Sequence, residues 1–326
     1  MSKHKVSFMK ELVLKQQNVE IKQQSPEDKI RRLVWGMCLA TLILMAIGSA
    51  TRVMNAGLAC PDWPLCYGEL VPTEQMNFQV FLEWFHRLDA ALIGMSTIAL
   101  LGLSWWYRMS LPKWLPWSST FALLLIIFQG ILGGLTVTQL LRFDIVTAHL
   151  GIALLFFATL LTIGTNLTAY QGTGNVGKLP WLSITAAILV YLQNILGAVV
   201  GSRWALHQCF GGYQPCTIMY SHILGLVPPT VLTLTVVYMS WHTPALHPAL
   251  RRLANMAGGL LLLQILLGVA IFKLHLQVQP LTVTHQAVGA SLLGVLVVFS
   301  VFATRDYFTI NSMYQPHGTL VNTKTE

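Results

Sequence analysis

The chain alternates between long apolar runs and short polar segments. A helix needs about 20 residues to cross the roughly 30 Å hydrocarbon core of a bilayer, and eight runs reach that length. We place these spans at 33–51, 78–107, 117–141, 145–167, 182–201, 218–241, 253–272 and 282–304. A transmembrane β-barrel instead requires alternating strands of about ten residues. The pattern therefore predicts membrane-spanning helices.

The composition narrows the class of protein further. The 326 residues are 54% hydrophobic and only 10% charged, and their mean hydropathy is +0.61. A soluble protein carries about 25% charged residues, so this chain has too little charge to cover an aqueous surface of its size. We predict an all-α, polytopic membrane protein.

The basic residues are distributed unequally between the two sides of the membrane. Of the 20 Lys and Arg residues, fifteen lie in the terminal segments and the loops of one side, and five lie on the other side. The positive-inside rule therefore predicts that both termini are cytoplasmic. The basic residues that give the net charge of +8 gather mostly on one side of the membrane. We therefore expect the lipid bilayer as a partner and no nucleic acid.

Four of the five cysteines lie in the two longest outer loops. Cys60 and Cys66 are in the first, and Cys209 and Cys216 are in the second. Disulfides belong outside the cytoplasm, which agrees with the orientation predicted from charge. Each pair either closes a small structural disulfide or is redox-active, and Cys60 with Cys66 is the better candidate for redox chemistry. Cys38, inside an apolar span, is expected to be a buried small side chain.

Four histidines reveal an internal duplication. His86 and His149 are 63 residues apart, as are His222 and His285, and the second pair is displaced from the first by 136 residues. A motif with Gln four residues before Gly also recurs, at Gln129–Gly133, at Gln264–Gly268 and, more loosely, at Gln193–Gly197.

The duplication predicts two pseudo-symmetric four-helix bundles. Residues 33–167 would form the first bundle and residues 182–304 the second, joined by a cytoplasmic linker at 168–181. Residues 1–32 would be a basic cytoplasmic tail and residues 305–326 a second cytoplasmic tail.

The spacing of the histidines favours haem over other metal groups. All four lie within about two turns of the outer helix ends, so antiparallel packing brings each pair to one depth. Zinc prefers thiolate or carboxylate ligands beside His, and no Cys or Met spacing indicates copper. Two neutral imidazoles from two helices are suited to haem iron. The alternative is a histidine bonded to a backbone carbonyl at a helix interface.

The two halves differ beside the first histidine of each pair. Glu83 lies one turn before His86, whereas its counterpart in the second half is Met219, and Arg87 corresponds to Ile223. The second pocket therefore suits a permanently held electron-transfer haem. The first has a carboxylate that can move a proton or stabilise developing positive charge. Alternatively, Glu83 only pairs with Arg87 at the membrane surface.

Two arginines stand at corresponding outer helix ends. Arg52 and Arg203 either bind haem propionates through charge-assisted hydrogen bonds or anchor the helix ends at the interface. The sequence leaves both alternatives open.

These motifs resemble those of the haem A synthase family. The similar segments are 51–52, 55–64, 83–87, His149, 221–222 and 284–285, and they extend over roughly residues 33–304. Two cysteines in each long outer loop resemble the cysteine-bearing bacterial branch of that family.

The resemblance implies an enzyme of haem A biosynthesis for terminal oxidases. Such an enzyme hydroxylates one ring methyl group of haem O successively, until loss of water leaves a formyl group. It implies that His86 and His149 face the substrate haem O, that His222 and His285 hold haem b, and that Glu83 is the essential carboxylate.

The resemblance has implications for the loops and the partners as well. Cys60 and Cys66 would be the functionally relevant pair, and Cys209 and Cys216 would form a structural disulfide. The chain would lie in the bacterial plasma membrane, with a haem O synthase and an unidentified electron donor as partners, and a homo-oligomer is compatible with the sequence.

Two other classes of function compete with this interpretation. A dihaem b-type cytochrome would pass electrons without altering its haem and would need the same four histidines, but it would leave Glu83 without a role. A membrane thiol oxidoreductase built on the outer cysteines would leave the histidines unexplained.

Overall fold

A computed structural model describes residues 25–173, 175–201, 217–274 and 277–314 of the chain, the last five of them by backbone alone. Its regular elements are the helices α1 Pro26–Val53, α2 Phe78–Trp106, α3 Leu115–Thr138, α4 Phe143–Asn166, α5 Leu179–Val200, α6 Thr217–Gly225, α7 Val227–His242, α8 Pro248–Lys273 and α9 Gln279–Tyr314. Eight segments are long and apolar enough to cross a membrane, with α6 and α7 together forming one of them. The predicted helical membrane protein with eight spans is confirmed.

The first helix begins earlier than the apolar run indicated. Ser25 caps it, because the hydroxyl of Ser25 accepts a hydrogen bond from the amide of Asp28 at 3.1 Å. Pro26 occupies the first turn, and Glu27 and Asp28 place negative charge at the positive end of the helix dipole. Residues 26–32, which we predicted as part of a solvated tail, therefore extend α1.

The sixth span is broken, whereas the sequence analysis predicted one continuous helix over 218–241. The helix stops at Gly225 and resumes at Val227. Pro228 and Pro229 follow the break, and neither has an amide hydrogen to donate to the preceding turn. The turn at Leu226 therefore separates α6 from α7.

The helix contacts fall into two sets that also contact each other. In the first set, α1 and α3 each pack against α2 and α4. In the second, α5 packs against α6, α7 and α9, while α8 packs against α7 and α9. Contacts between the sets run through α1, α4, α5 and α9.

The last helix is the most enclosed element of the described chain. In its most apolar stretch 61% of the residues are buried, against 11% in α8. The largest buried apolar cluster unites residues of both sets, among them Val34, Phe156 and Leu296. The helix ends that carry the four histidines are thus held on a common core.

Candidate functional site

Each of the four histidines lies against a glycine of a neighbouring helix. A Cβ atom added at Gly48 would lie 2.8 Å from Cε1 of His86, which is closer than two carbon atoms pack. The same distance is 3.4, 3.1 and 3.3 Å for the pairs Gly133–His149, Gly197–His222 and Gly268–His285. The glycines therefore allow each imidazole to approach the backbone of the adjacent helix.

The members of each histidine pair lie on helices of one contact set. His86 and His149 are on α2 and α4, and His222 and His285 are on α6 and α9. All four lie within about two turns of the helix ends, on the side of the membrane where loop 54–77 joins α1 to α2. We call this side the loop face.

Three of these imidazoles have an unsatisfied nitrogen. The Nδ1 atoms of His86, His149 and His285 are buried and have no hydrogen-bond partner among the described residues. A buried polar atom without a partner costs about 1–3 kcal/mol, and a neutral imidazole nitrogen can offset that cost by ligating a metal. Paired imidazoles, glycine-thinned helix faces and open nitrogens fit a haem group.

Three glutamines contact the imidazoles, a feature that the sequence analysis noted only as a repeat. The amide nitrogen of Gln129 lies 3.3 Å from Nε2 of His149, and that of Gln264 lies 3.3 Å from Nε2 of His285. Gln193 approaches Nδ1 of His222 at 3.1 Å. The recurrence of Gln four residues before Gly was the signal that could have indicated these contacts.

Glu83 lies beneath loop 54–77 and is buried. The residue is only 3% exposed. One carboxylate oxygen accepts a hydrogen bond from the amide of Cys60 at 2.9 Å, and the other accepts one from Arg87 at 2.6 Å. Glu83 therefore pairs with Arg87, but the pair lies inside the protein, and Glu83 also binds the backbone of loop 54–77.

Arg87 extends this connection along the loop. One guanidinium nitrogen donates to the carbonyl oxygen of Asp62 at 2.6 Å and to that of Leu65. The other nitrogen lies 3.4 Å from the carbonyl oxygen of Cys60. The Glu83–Arg87 pair thus binds the loop backbone at three residues.

A disulfide closes the same stretch of loop. Cys60 and Cys66 are bonded, with their Cα atoms 4.8 Å apart, and both are buried. Cys38 is a free, buried thiol as predicted. Cys209, Cys216 and Arg203 lie outside the described residues.

Asp62 organises the turn inside the disulfide loop. Its carboxylate accepts hydrogen bonds from the amides of Tyr67 at 2.6 Å and Gly68 at 2.7 Å. Hydrogen bonding from Gly68, with a smaller contribution from Tyr67 and the charge of Arg87, lowers the pKa of Asp62 below its usual value of 3.8. Gly68 has φ +74°, a conformation that favours glycine.

Arg52 lies where the two helix sets meet. Its guanidinium approaches the carbonyl oxygen of Ala198 at 3.5 Å and the side-chain oxygen of Gln286 at 3.4 Å. Its Nε is buried and has no hydrogen-bond partner among the described residues. Arg52 of α1 therefore contacts both α5 and α9. Its contact on α9, Gln286, is the residue that follows His285.

The chain is similar to a group of bacterial proteins. A haem A synthase of Shewanella oneidensis is 29% identical over 80% of this chain and 93% of its own length. That of Caulobacter vibrioides is 24% identical over 82% and 94% of the two chains, and that of Rhizobium etli is 26% identical over 93% and 95%.

The family comparison covers most of the membrane region. The model of the COX15-CtaA family, described as a cytochrome oxidase assembly protein, matches residues 31–297. This match covers the eight spans except the first five residues of α1 and the end of α9, and it confirms the family resemblance predicted from the histidine and glutamate motifs. The chain belongs to the COX15-CtaA family of cytochrome oxidase assembly proteins.

Proposed function

We propose that this protein is a haem A synthase, a membrane oxidoreductase that oxidises a ring methyl group of haem O to a formyl group. The observation that carries the proposal is the duplicated histidine pair with a buried carboxylate in only one copy. Two equivalent electron-transfer haems would not require that asymmetry, whereas a substrate site and a cofactor site would.

The first site would bind the substrate. His86 and His149 would face haem O, with Glu83 one turn from His86 on the same helix. Arg87 and the amide of Cys60 hold both oxygens of this carboxylate, so its position is defined before substrate binds. A fixed carboxylate can hold a proton or stabilise developing positive charge beside the reacting group.

The second site would hold haem b through His222 and His285. The bound haem would supply one-electron transfer. Beside His222, Met219 and Ile223 replace the carboxylate and the guanidinium of the first site, so this site lacks the charged pair at those positions. Arg52, which contacts Gln286 beside His285, would bind a propionate of this group.

The proposal includes a division into two bundles and an orientation in the membrane. Residues 33–167 would form the substrate bundle and residues 182–304 the haem b bundle, in agreement with the two sets of helix contacts. The excess of Lys and Arg on one side supports cytoplasmic termini in a bacterial plasma membrane. A haem O synthase would supply the substrate, and a separate donor would supply electrons.

Haem extraction from the purified protein tests this function. The chain is expressed with a source of haem O in cells that lack their own haem A synthase, and the extracted haems are separated by chromatography. We expect haem A and its alcohol precursor together with haem b. Haem b alone would contradict the proposal and favour the dihaem cytochrome.

Glu83→Gln separates catalysis from haem binding. We expect the second-site spectrum to persist and haem A formation to fall by about 100-fold or more, the range for loss of a general acid or base. Asp89→Asn, which removes another carboxylate of α2, is the matched control and should retain activity. Near-normal output from Glu83→Gln would show that the carboxylate is dispensable.

His222→Ala and His285→Ala test the second site. Each is expected to abolish the absorbance of bis-imidazole haem b, because one iron ligand is removed. His242→Ala is the control, since His242 is exposed and bonds only locally to the carbonyl oxygen of Tyr238. Full retention of the spectrum in both ligand variants would refute the assignment.

A further inference from the structure

Three of the four imidazoles share one side-chain partner that the proposed chemistry does not use. A glutamine amide reaches an imidazole nitrogen at 3.1 to 3.3 Å in the pairs Gln129–His149, Gln193–His222 and Gln264–His285. In each case the glutamine lies four residues before the glycine on which the imidazole packs. In each pair, one face of the helix that carries the glutamine therefore presents both the glycine backbone and the glutamine amide to the same imidazole ring.

The fourth histidine lacks this partner. The residue four positions before Gly48 is Leu44, whose side chain has no hydrogen-bonding group. Because His86 packs on Gly48 as the other three imidazoles pack on their glycines, position 44 corresponds to the three glutamine positions and differs from them in its side chain.

The glutamine oxygens are available to the imidazoles. The Oε1 atoms of Gln129, Gln193 and Gln264 are buried and have no hydrogen-bond partner within the described part of the chain. Rotation of a terminal amide by half a turn exchanges its oxygen and nitrogen. Gln129 and Gln264 can then accept the N–H of their imidazoles, which leaves the other ring nitrogen as a metal ligand. Gln193 differs, because its amide nitrogen also donates to the backbone carbonyl oxygen of His222 at 2.7 Å.

We propose that Gln129 and Gln264 are positioning residues that hold one nitrogen of an iron-ligating imidazole and so determine its orientation and its ligating nitrogen. This inference rests on the proposed function. Partners of this kind fix the tautomer of a metal-bound histidine and increase its basicity, and their loss costs about 10–100-fold in metal affinity.

The same reasoning distinguishes His86 from the other ligands. With Leu44 in place of a glutamine, His86 lacks the amide partner that His149 has, and it lies one turn from Glu83. We therefore expect His86 to be the weaker haem ligand of the first site and His149 the stronger one.

The second site provides the most direct test, because haem b stays bound there without turnover. We compare Gln264→Leu, Gln264→Glu and the wild type by redox titration and by the low-spin electron paramagnetic resonance spectrum. The leucine removes the acceptor, so we expect a higher midpoint potential and about 10-fold weaker haem retention. The glutamate keeps an acceptor oxygen of greater basicity and should lower the potential.

Asn194→Leu is the matched control. Asn194 neighbours Gln193 on α5 and donates hydrogen bonds to the carbonyl oxygens of Val190 and Gly289, and neither of these bonds involves an imidazole. We expect its haem potential to equal that of the wild type. Equal potentials in Gln264→Leu and Gln264→Glu would overturn the inference, as would haem loss that is equally severe in Asn194→Leu.

Leu44→Gln tests the asymmetry. The added amide should slow dissociation of haem from the first site by about 10-fold, and unchanged dissociation would contradict the role given to position 44. These outcomes are separable from the proposed function. A wild-type protein that binds no haem would overturn the function itself, whereas haem with a potential insensitive to both Gln264 variants would overturn only the positioning role.

Discussion

The contacts around Glu83 show how single residues link the outer loop to the histidine helices. The carboxylate binds the amide of Cys60 and the guanidinium of Arg87, while Arg87 also binds the carbonyl oxygens of Asp62 and Leu65. Because Glu83 and His86 are one turn apart on α2, a displacement of the loop changes the surroundings of the first site.

Gly48 tests the close packing of an imidazole on a helix backbone. Gly48→Ala would place a methyl group 2.8 Å from Cε1 of His86, so the ring must move. We expect at least about 10-fold weaker binding of haem at the first site, by analogy with misplaced metal ligands. Spectral titration of purified protein with haem measures this affinity.

Gly36→Ala is the matched control for that variant. Gly36 is in the same helix, and a Cβ there meets no atom within 4 Å. Its replacement should leave haem affinity unchanged and favour the helix slightly, because Ala has the higher helix propensity. Equal affinities in the Gly48 and Gly36 variants would contradict the packing argument.

Asp62 makes the loop sensitive to acid. Hydrogen bonding lowers its pKa in the folded loop, so ionised Asp62 stabilises the loop at neutral pH. This contribution is lost as the pH falls from the usual carboxyl pKa of 3.8 through the lowered pKa of Asp62 in the folded loop. We expect the wild-type loop to resist pepsin better than that of Asp62→Asn at pH 5, with the difference disappearing near pH 2.

Comparison at each pH cancels the pH dependence of pepsin itself. The measurement is the ratio of cleavage rates within loop 54–77 of the two proteins, followed by mass spectrometry. A ratio that stays constant from pH 5 to pH 2 would show that the Asp62 carboxylate does not stabilise the loop.

Among the elements, the broken sixth span has a direct consequence for the second site. α6 carries His222 and ends at Gly225, while α7 begins at Val227 and supplies contacts to α5 and α8. His222 of α6 packs against Gly197 of α5, so we expect a change in the direction of α6 to move His222.

Restoring the amide donors after the break tests this role. Pro228→Ala combined with Pro229→Ala permits a continuous helix, which would redirect α6 and move His222. We expect haem b content to fall by at least half in the purified protein. Pro248→Ala, in the first turn of α8 where proline removes no helix hydrogen bond, should keep full haem content; equal loss in both proteins would reject the role of the break.

At the scale of the whole molecule, Arg52 and α9 hold the two helix sets together. Arg52 of α1 contacts α5 and α9, and α9 packs against α1 and α4 as well as α5 and α8. Both histidine pairs therefore lie on the loop face of one connected assembly, in which His285 is a neighbour of the Arg52 contact.

The orientation of this assembly can be measured with a pair of exposed positions. Leu70 in the first loop is 82% exposed and Met109 in the next loop is 92% exposed. We expect a membrane-impermeant maleimide to label Leu70→Cys but not Met109→Cys in intact cells, because the basic loops face the cytoplasm. The wild type reports background labelling, and the reverse pattern would contradict cytoplasmic termini.

Much of the architecture was predictable because membrane helices are encoded locally. Hydrophobic length indicated eight spans, and the equal spacing of the histidines indicated two related sites. The loop cysteines were recognised as a pair, and the structure shows that Cys60 and Cys66 are bonded. The sequence analysis missed the break at Leu226, because the apolar run continues across it although Pro228 and Pro229 follow.

By itself, the sequence determined the helices, the side on which charges gather and the residue types available for chemistry, since these depend on short stretches of chain in contact with lipid or water. Only the tertiary structure decided that Glu83 holds the amide of Cys60, that Gln264 reaches His285 and that Arg52 reaches Gln286. Each of these contacts joins residues that are distant in the chain, so it depends on the rotation and depth of whole helices, which packing sets and no local pattern records.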